Sequence, residues 1–425
     1  MSEAMSAEVE ALRRSSKLAG MLTPSYEGRC ISNLCDTFSK ILGISNSKPL
    51  NFADIYATAE STENLIFLLL DGFGYRLIQN SLNQKAPLNG ALALSSFLKG
   101  SVAHPITSVF PSTTSTATTT LHTGLTPQEH GVLGYTMYLE EIGAIAEMLR
   151  FAPLLGGRET LFDLGFDPET FVGAETIHQK LIRNGIPSNF YIQKWIVDSG
   201  LSKITIRGAE TFPHITAPDM FVTLRRNLET MRSGFHFAYY ASPDTIAHHK
   251  GPYSEEFVSE VDALFYTMRR ELFEKLDKEI AKHTTLLVSA DHGLISIDER
   301  NIIDVRTHPE LRRMLKVPPT GDSRVSFLHT NQGMEEKVKD YFQRNFAGKF
   351  EVARSEEFLQ KGLFGLGNVK REVHGRIGNL IAVPKAAVAL ENSDIDPRPS
   401  PVPGRHGGLS EEEMLVPIFA KRLAN

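Results

Sequence analysis

Four short runs of apolar, β-branched or aromatic residues break off at a polar residue beside Gly or Pro. They are Leu65 to Leu70 into Asp71-Gly72, Val102 to Phe110 into Pro111, Phe235 to Ala241 into Pro243-Asp244, and Thr285 to Ser289 into Asp291-His292-Gly293. Hydrophobicity that is continuous rather than alternating over such lengths predicts parallel strands buried on both faces. Between the runs the period lengthens. Phe257, Val261, Leu264, Phe265, Met268, Leu272 and Leu276 recur at three- and four-residue spacings, which predicts helix through Glu255 to His283. Thr176 to Ile192 reads as helix, a turn at Gly185, then strand. Strand and helix alternate, so the predicted fold class is α/β: a doubly wound, mostly parallel central sheet flanked by helices.

Residues 301–374 have a different texture. Val325 to His329 predicts a strand, Met334 to Phe346 a helix, Phe350 to Ala353 a strand and Gly362 to Gly367 a loop, together a small inserted α/β cap. The catalytic core then spans residues 1–300 and 375–425, with Gly378 to Val383 expected to return to the main sheet. Pro397, Pro399, Pro401 and Pro403 form a stiff connector before His406. The first 20 residues read as a peripheral segment, helical or partly disordered.

Composition narrows the function classes. With 41% hydrophobic and 22% charged residues the chain has a globular profile, which excludes disordered and fibrous classes. The 45 basic and 50 acidic residues are interspersed and sum to −5, so there is no basic field for a nucleic-acid polymer and no polybasic membrane patch. The longest apolar stretch, Leu65 to Leu70, falls far short of the roughly 20 residues of a membrane helix. Glu3, Glu8, Glu10, Arg13, Arg14 and Lys17 interrupt any signal-peptide core, so the expected location is the cytoplasm. Cys30 and Cys35 make neither a disulfide framework nor a zinc knuckle, and read as reduced thiols.

The chemistry sits where the strands end, because open α/β sheets bind ligands beyond the carboxyl ends of their strands. A single strand-end Asp is most often a cap or a turn former. Here Asp71, Asp244 and Asp291-His292 occupy three such ends. Asp244 and His248 lie four residues apart, on one side of a helical turn, and Asp291 and His292 are adjacent in a loop. Mixed Asp and His donors suit zinc or manganese. The hydroxyl-rich stretch Phe110 to Leu121 follows a strand and opens a helix, with Ser112 as a candidate N-cap. A hydroxyl at such a terminus feels the positive end of the helix dipole, which favours an alkoxide and an incoming phosphate.

In order, Leu70-Asp71-Gly72-Phe73, Phe110-Pro111 with Thr114, Thr123-Gly124-Leu125 through His130-Gly131, Ser242-Pro243-Asp244 with His248, Asp291-His292-Gly293 and His406-Gly407 resemble the motifs of the alkaline phosphatase superfamily. The resemblance is nearest to its type I phosphodiesterase and nucleotide pyrophosphatase branch. It implies two divalent ions, zinc or manganese, one held by Asp244, His248 and His406 and the other by Asp71, Asp291 and His292. Thr114 would bind the second ion and act as nucleophile, forming a phospho-threonine intermediate, with Thr113 as its nearest competitor. The implied substrate is a small phosphodiester or nucleotide. A phosphomonoesterase or phosphonate hydrolase with the same site, or an inactive relative used for binding, are the alternatives. Two positions depart from the branch. Ser115-Thr116-Ala117 stands where Phe-Pro-Asn is usual, and Tyr135 falls near the place of a phosphoryl-binding Asn. Phe73 either stacks on a base or packs on the cap. Cys30 is followed by Ile31-Ser32-Asn33, so the sulfatase pattern is absent, and Gly72-Phe73-Gly74 is no complete dinucleotide fingerprint.

Overall fold

The computed structural model describes residues 2–45, 47–82, 91–155, 160–231, 233–392 and 402–424. Seven strands build the central sheet: β1 (Asn64–Leu70), β2 (Val102–Thr107), β3 (Ser188–Gln193), β4 (Glu210–His214), β5 (Gly234–Tyr240), β6 (Thr284–Ser289) and β7 (Leu415–Arg422). Their spatial order is β2-β7-β6-β1-β5-β3-β4, with β7 antiparallel to both neighbours and the other pairs parallel. β1, β5 and β6 are buried at every position, as continuous apolar runs require. Leu70 pairs with Tyr240 and Leu69 with Ser289, so β1, β5 and β6 end side by side. The three carboxylates that follow them are thereby brought to one edge.

The long helical pattern from Glu255 is broken in the structure. An α-helix runs Glu255–Met268, a π-helical turn Arg269–Glu274, and a separate helix Lys278–Lys282 starts under the Asp277 side chain, which accepts from the Glu279 and Ile280 amides. Asp277 competes for the backbone as an N-cap does, and the apolar period alone does not register that.

A second sheet, entirely antiparallel, lies against the first. Its strands, in spatial order, are Phe350–Arg354, Leu380–Pro384, Val325–Leu328, Thr320–Asp322, Thr136–Leu139, Ala144–Glu147 and Ala152–Pro153. The expected return of Gly378 to Val383 to the main sheet is therefore corrected: Leu380–Pro384 pairs with Val325–Leu328 and Phe350–Arg354. Both sheets bury a five-residue apolar strand on both faces, so hydrophobicity does not say which one takes it. The strand that returns to the main sheet is β7. Residues 136–153, assigned to the core on sequence, supply three strands of this second sheet.

The N-terminal helix Ser2–Arg14 buries Met5, Val9 and Leu12 in the core of the second sheet, and Arg13 holds Glu411 through two hydrogen bonds of 2.5 and 2.9 Å. Cys30 and Cys35 are buried free thiols. Pro397, Pro399 and Pro401 of the expected connector lie outside the described residues. Among the described residues no helix is long and apolar enough to cross a membrane.

Candidate metal centre and active site

Just past β1, Gly72 adopts φ +70°, and a Cβ there would meet Leu294 at 2.6 Å and the Asp244 backbone at 3.1 Å. The turn swings Asp71 into the space between the strand ends and sends Phe73 the other way. Phe73 is 1% exposed and packs 6.2 Å from the Phe265 ring, so it is a core residue and not a substrate contact. Asp71 Oδ2 accepts from the Tyr239 hydroxyl. Asp291 Oδ1 accepts from the Gly72 and His292 amides, at 3.1 and 2.9 Å. Each carboxylate keeps its other oxygen, Asp71 Oδ1 and Asp291 Oδ2, buried with no hydrogen-bond partner, and Asp244 Oδ1 is in the same state.

The histidines point lone pairs at these oxygens. His292 Nδ1 lies 3.2 Å from the Gly293 carbonyl, which fixes the proton there and leaves Nε2 facing inward. Nε2 sits 3.4 Å from Asp291 Oδ2, 3.5 Å from Asp71 Oδ1 and 3.1 Å from Thr114 Oγ1. His248 Nδ1 donates to the Gly404 carbonyl at 2.8 Å, leaving its Nε2 3.4 Å from Asp244 Oδ2. Donor atoms of Asp244, His248 and His406 fall within 4.8 Å of one another, as do those of Asp71, Asp244 and His292. Asp244 thus belongs to both groups.

His406 reaches the site through backbone pairing. The segment Gly404–Arg405 pairs with Ile295–Ser296, just beyond His292, and Gly407 bridges to Ser112. The His406 ring stacks on His292 with centroids 4.0 Å apart. The segment is held by a buried clamp: Arg324 Nε and Nη2 meet Glu413 Oε1 and Oε2 at 3.1 and 2.9 Å, and Glu413 also accepts from the Gly408 amide at 2.8 Å.

Crowding of buried acids raises the Asp71 carboxyl well above the ordinary range, first through burial and then through Asp291 and Asp244. Burial likewise raises Asp291, opposed by His292. Carboxylate and imidazole lone pairs converging on one centre are the electrostatic complement of a cation. The oxygen and nitrogen donors fit zinc or manganese.

Thr114 opens the helix Thr114–Thr123, whose residues Ser115 to His122 are all buried. Most hydroxyls of this stretch are structural: Thr118, Thr119 and Thr123 donate to the carbonyls four residues back, at 2.6 to 2.7 Å. Ser112 donates to the Gly408 carbonyl at 2.8 Å instead of capping the helix, and Thr113 holds the N-cap position. Thr113 Oγ1 is turned to Asp322 at 3.0 Å and is 2% exposed, whereas Thr114 faces the ligand cluster. Tyr135 lines the polar side of the cleft with Thr114, His248 and Asp322.

The sequence profile of the family described as type I phosphodiesterase / nucleotide pyrophosphatase matches residues 65–409. The chain belongs to this family. It is a hydrolase of phosphoester bonds, in a branch of the alkaline phosphatase superfamily whose members typically depend on paired metal ions. Among solved structures, murine ectonucleotide pyrophosphatase/phosphodiesterase 5 matches with TM-score 0.61 and 18% identity over 84% of this chain and 88% of that one. An inactive form of the murine protein in complex with AMP matches equally, and the human protein matches with TM-score 0.60 and 20% identity over 84% and 87%. At these identities the likeness shows the fold. No curated protein matches in sequence.

Two residues of the cleft were not foreseen. Tyr239, inside an apolar strand, gave no signal of its hydrogen bond to Asp71. Asp322, whose carboxylate lies 3.8 Å from His406 Nδ1, ends a short strand of the second sheet after Gly321, inside the segment read as a cap.

Proposed function

We propose that this phosphoester hydrolase cleaves phosphodiesters or nucleotide pyrophosphates through Thr114, with two divalent ions, zinc or manganese. Asp244, His248 and His406 would hold one ion and Asp71, Asp291 and His292 the other, with Asp244 close enough to both groups to couple them. The ions supply Lewis-acid stabilisation of phosphoryl charge and lower the pKa of a bound oxygen nucleophile. Everything else is done by the chain. The buried helix fixes Thr114 Oγ1 at the point where the donor atoms converge, and its N-terminal dipole favours the incoming phosphoryl group. Thr114 Oγ1 forms a bond to phosphorus as one ester oxygen departs, taking up a proton. Water then attacks the phospho-threonine, releasing the phosphate product and returning a proton to Thr114. The observation that carries this reading is the 3.1 Å approach of Thr114 Oγ1 to His292 Nε2, with the Thr113 hydroxyl turned away to Asp322. The AMP complex of the murine relative supports a nucleoside monophosphate as one acceptable class of product.

Thr114→Ala should lower kcat/KM on bis-p-nitrophenyl phosphate by about 10⁴- to 10⁶-fold, the scale of losing a covalent nucleophile, with metal content by elemental analysis nearly unchanged. Thr113→Ala should retain activity within about tenfold. Retained activity in Thr114→Ala would end the mechanism, and faster cleavage of p-nitrophenyl phosphate than of its diester would move the enzyme to the monoesterases.

A further inference from the structure

Near the end of β7 a lysine is buried without a counter-ion. Lys421 is 9% exposed. Its ammonium donates to the Phe97 and Lys99 carbonyls, at 3.1 and 2.9 Å, where the helix Leu92–Leu98 ends, and lies 5.4 and 5.8 Å from the centroids of the Phe97 and Phe273 rings. Carbonyl dipoles and ring faces favour a cation but carry no net charge to cancel it. No carboxylate of the described residues comes within 4.0 Å of the ammonium, and burial lowers the lysine's pKa with no acid opposing it. An ammonium has three donors, and two are used.

Lys421 lines a cavity of about 260 Å³ whose inner wall is Phe97, Phe265, Met268 and Phe273. Exposed Ser96, Arg269 and Glu274 form its rim, where Arg269 holds Glu274 at 3.3 Å. The π-helical turn Arg269–Glu274 places Phe273 on the wall, and such turns recur at functional sites. The cavity shares no lining residue with the two that open at Thr114. Lys421 pairs with Leu286, five positions before Asp291, which sets it roughly 16 Å back from the metal ligands along the strand direction. A neutral hydrocarbon in this cavity would leave the third N–H and the charge uncompensated, and a cation would be repelled. A polyanion finds no second unpaired cation on the lining. What fits is one negative charge on an apolar body, since the charge pairs with the ammonium and the body meets the phenylalanines.

We propose that this cavity binds a small monoanion with an apolar body, an alkyl or aryl carboxylate. The carboxylate takes the remaining Lys421 N–H, and the hydrocarbon lies among Phe97, Phe265, Met268 and Phe273. The site is separate from the phosphoester cleft, and the inference does not depend on the role of Thr114.

The test is titration calorimetry of the metal-loaded protein with octanoate, benzoate, acetate, 1-octanol and octylammonium. Octanoate or benzoate should bind saturably at one site per chain, and whichever is tighter says whether the body is alkyl or aryl. Acetate, which lacks the body, and 1-octanol, which lacks the charge, should each bind at least about tenfold more weakly, and octylammonium should not bind. Lys421→Met keeps the length of the side chain and removes its charge. It should weaken the carboxylate at least about tenfold while leaving 1-octanol within about threefold. Ser96→Phe, at the exposed rim, should weaken both by narrowing the entrance, and it carries the test if melting curves show that Lys421→Met is unfolded. Equal affinity for octanoate and 1-octanol would overturn the inference. So would carboxylate binding that neither variant changes, because the acid would then be sitting on the metal ions or on another surface.

Discussion

The parallel sheet and the antiparallel sheet both deliver residues to one cleft, by different means. In the parallel sheet Asp71, Asp244 and Asp291-His292 follow strand ends whose register is fixed by main-chain ladders. In the other half, Asp322 ends one strand and Tyr135 precedes another, the two sharing a single Gly321–Thr136 pairing, and the His406 segment, paired over only two residues at Gly404–Arg405, is anchored by an ion pair at Arg324 and Glu413. A ladder spreads positional control over many weak bonds, whereas a buried clamp concentrates it in two side chains. The first kind of site should tolerate single substitutions beneath it, and the second should not.

Breaking the clamp is the sharpest way to expose that contrast. Arg324→Met leaves Glu413 as an uncompensated buried charge and should cost about 3–5 kcal/mol in urea unfolding. Metal content should fall toward one ion, because the His406 segment loses its anchor while the Asp71 and Asp291 turns keep theirs. Full stoichiometry in the variant would show that backbone pairing at Gly404–Arg405 suffices.

Acid should act on both halves, and more on the parallel one. Burial pushes His178 and His236, in the layer of the parallel sheet, down to about 3, and His122 is lowered in the same way, while in the antiparallel sheet His329 falls to about 4. These groups stay neutral when folded but take a proton near pH 6.5 when unfolded. The unfolded state therefore binds more protons below that pH. Stability is fully present above about 6.5 and declines as pH falls toward the folded values, by about 1.4 kcal/mol for each such histidine at pH 5.5. Melting curves at pH 7.5, 6.5 and 5.5 should show the midpoint dropping a little over the first interval and about three times as far over the last. A flat profile would mean that these imidazoles are not held neutral.

The smallest expected effect has the opposite sign for fold and function. Asp71→Asn removes one of three carboxylates that each keep a buried, unpartnered oxygen, so the chelated protein should gain about 1 kcal/mol, while zinc should stabilise the variant less than it does the parent. Calorimetry with and without EDTA separates the two. Loss of stability in EDTA would mean that Asp71 is a structural acceptor for Tyr239 before it is a ligand.

What was legible in the sequence follows the same division. The strand-end carboxylates announced themselves because a fully buried strand leaves one local signature, an apolar run ended by a polar residue and a turn. Thr114 and His406 were placed through the resemblance, since neither a Thr-rich helix start nor a lone His after prolines declares its contacts. Phe73 packs in the main core, neither on a base nor on the cap, because φ at Gly72 decides which way the next side chain faces and glycine permits either. The second sheet was only partly visible. Its strands come from residues 136–153, 320–328, 350–354 and 380–384, and pairing between distant segments has no local signature.

The place of β7 sets an order of events. The last strand among the described residues is inserted between β2 and β6, not added at a margin, so the sheet stays split until residues 415–422 leave the ribosome. Until then β2 has no partner in the sheet, and the clamp residue Glu413, two positions before β7, has yet to arrive. All the earlier strands of the sheet have to be held open, with unpaired edges, before the ligand cluster can close. A nascent chain stalled before residue 415 would therefore present itself to chaperones and proteases as an incomplete sheet and not as a folded enzyme lacking a tail.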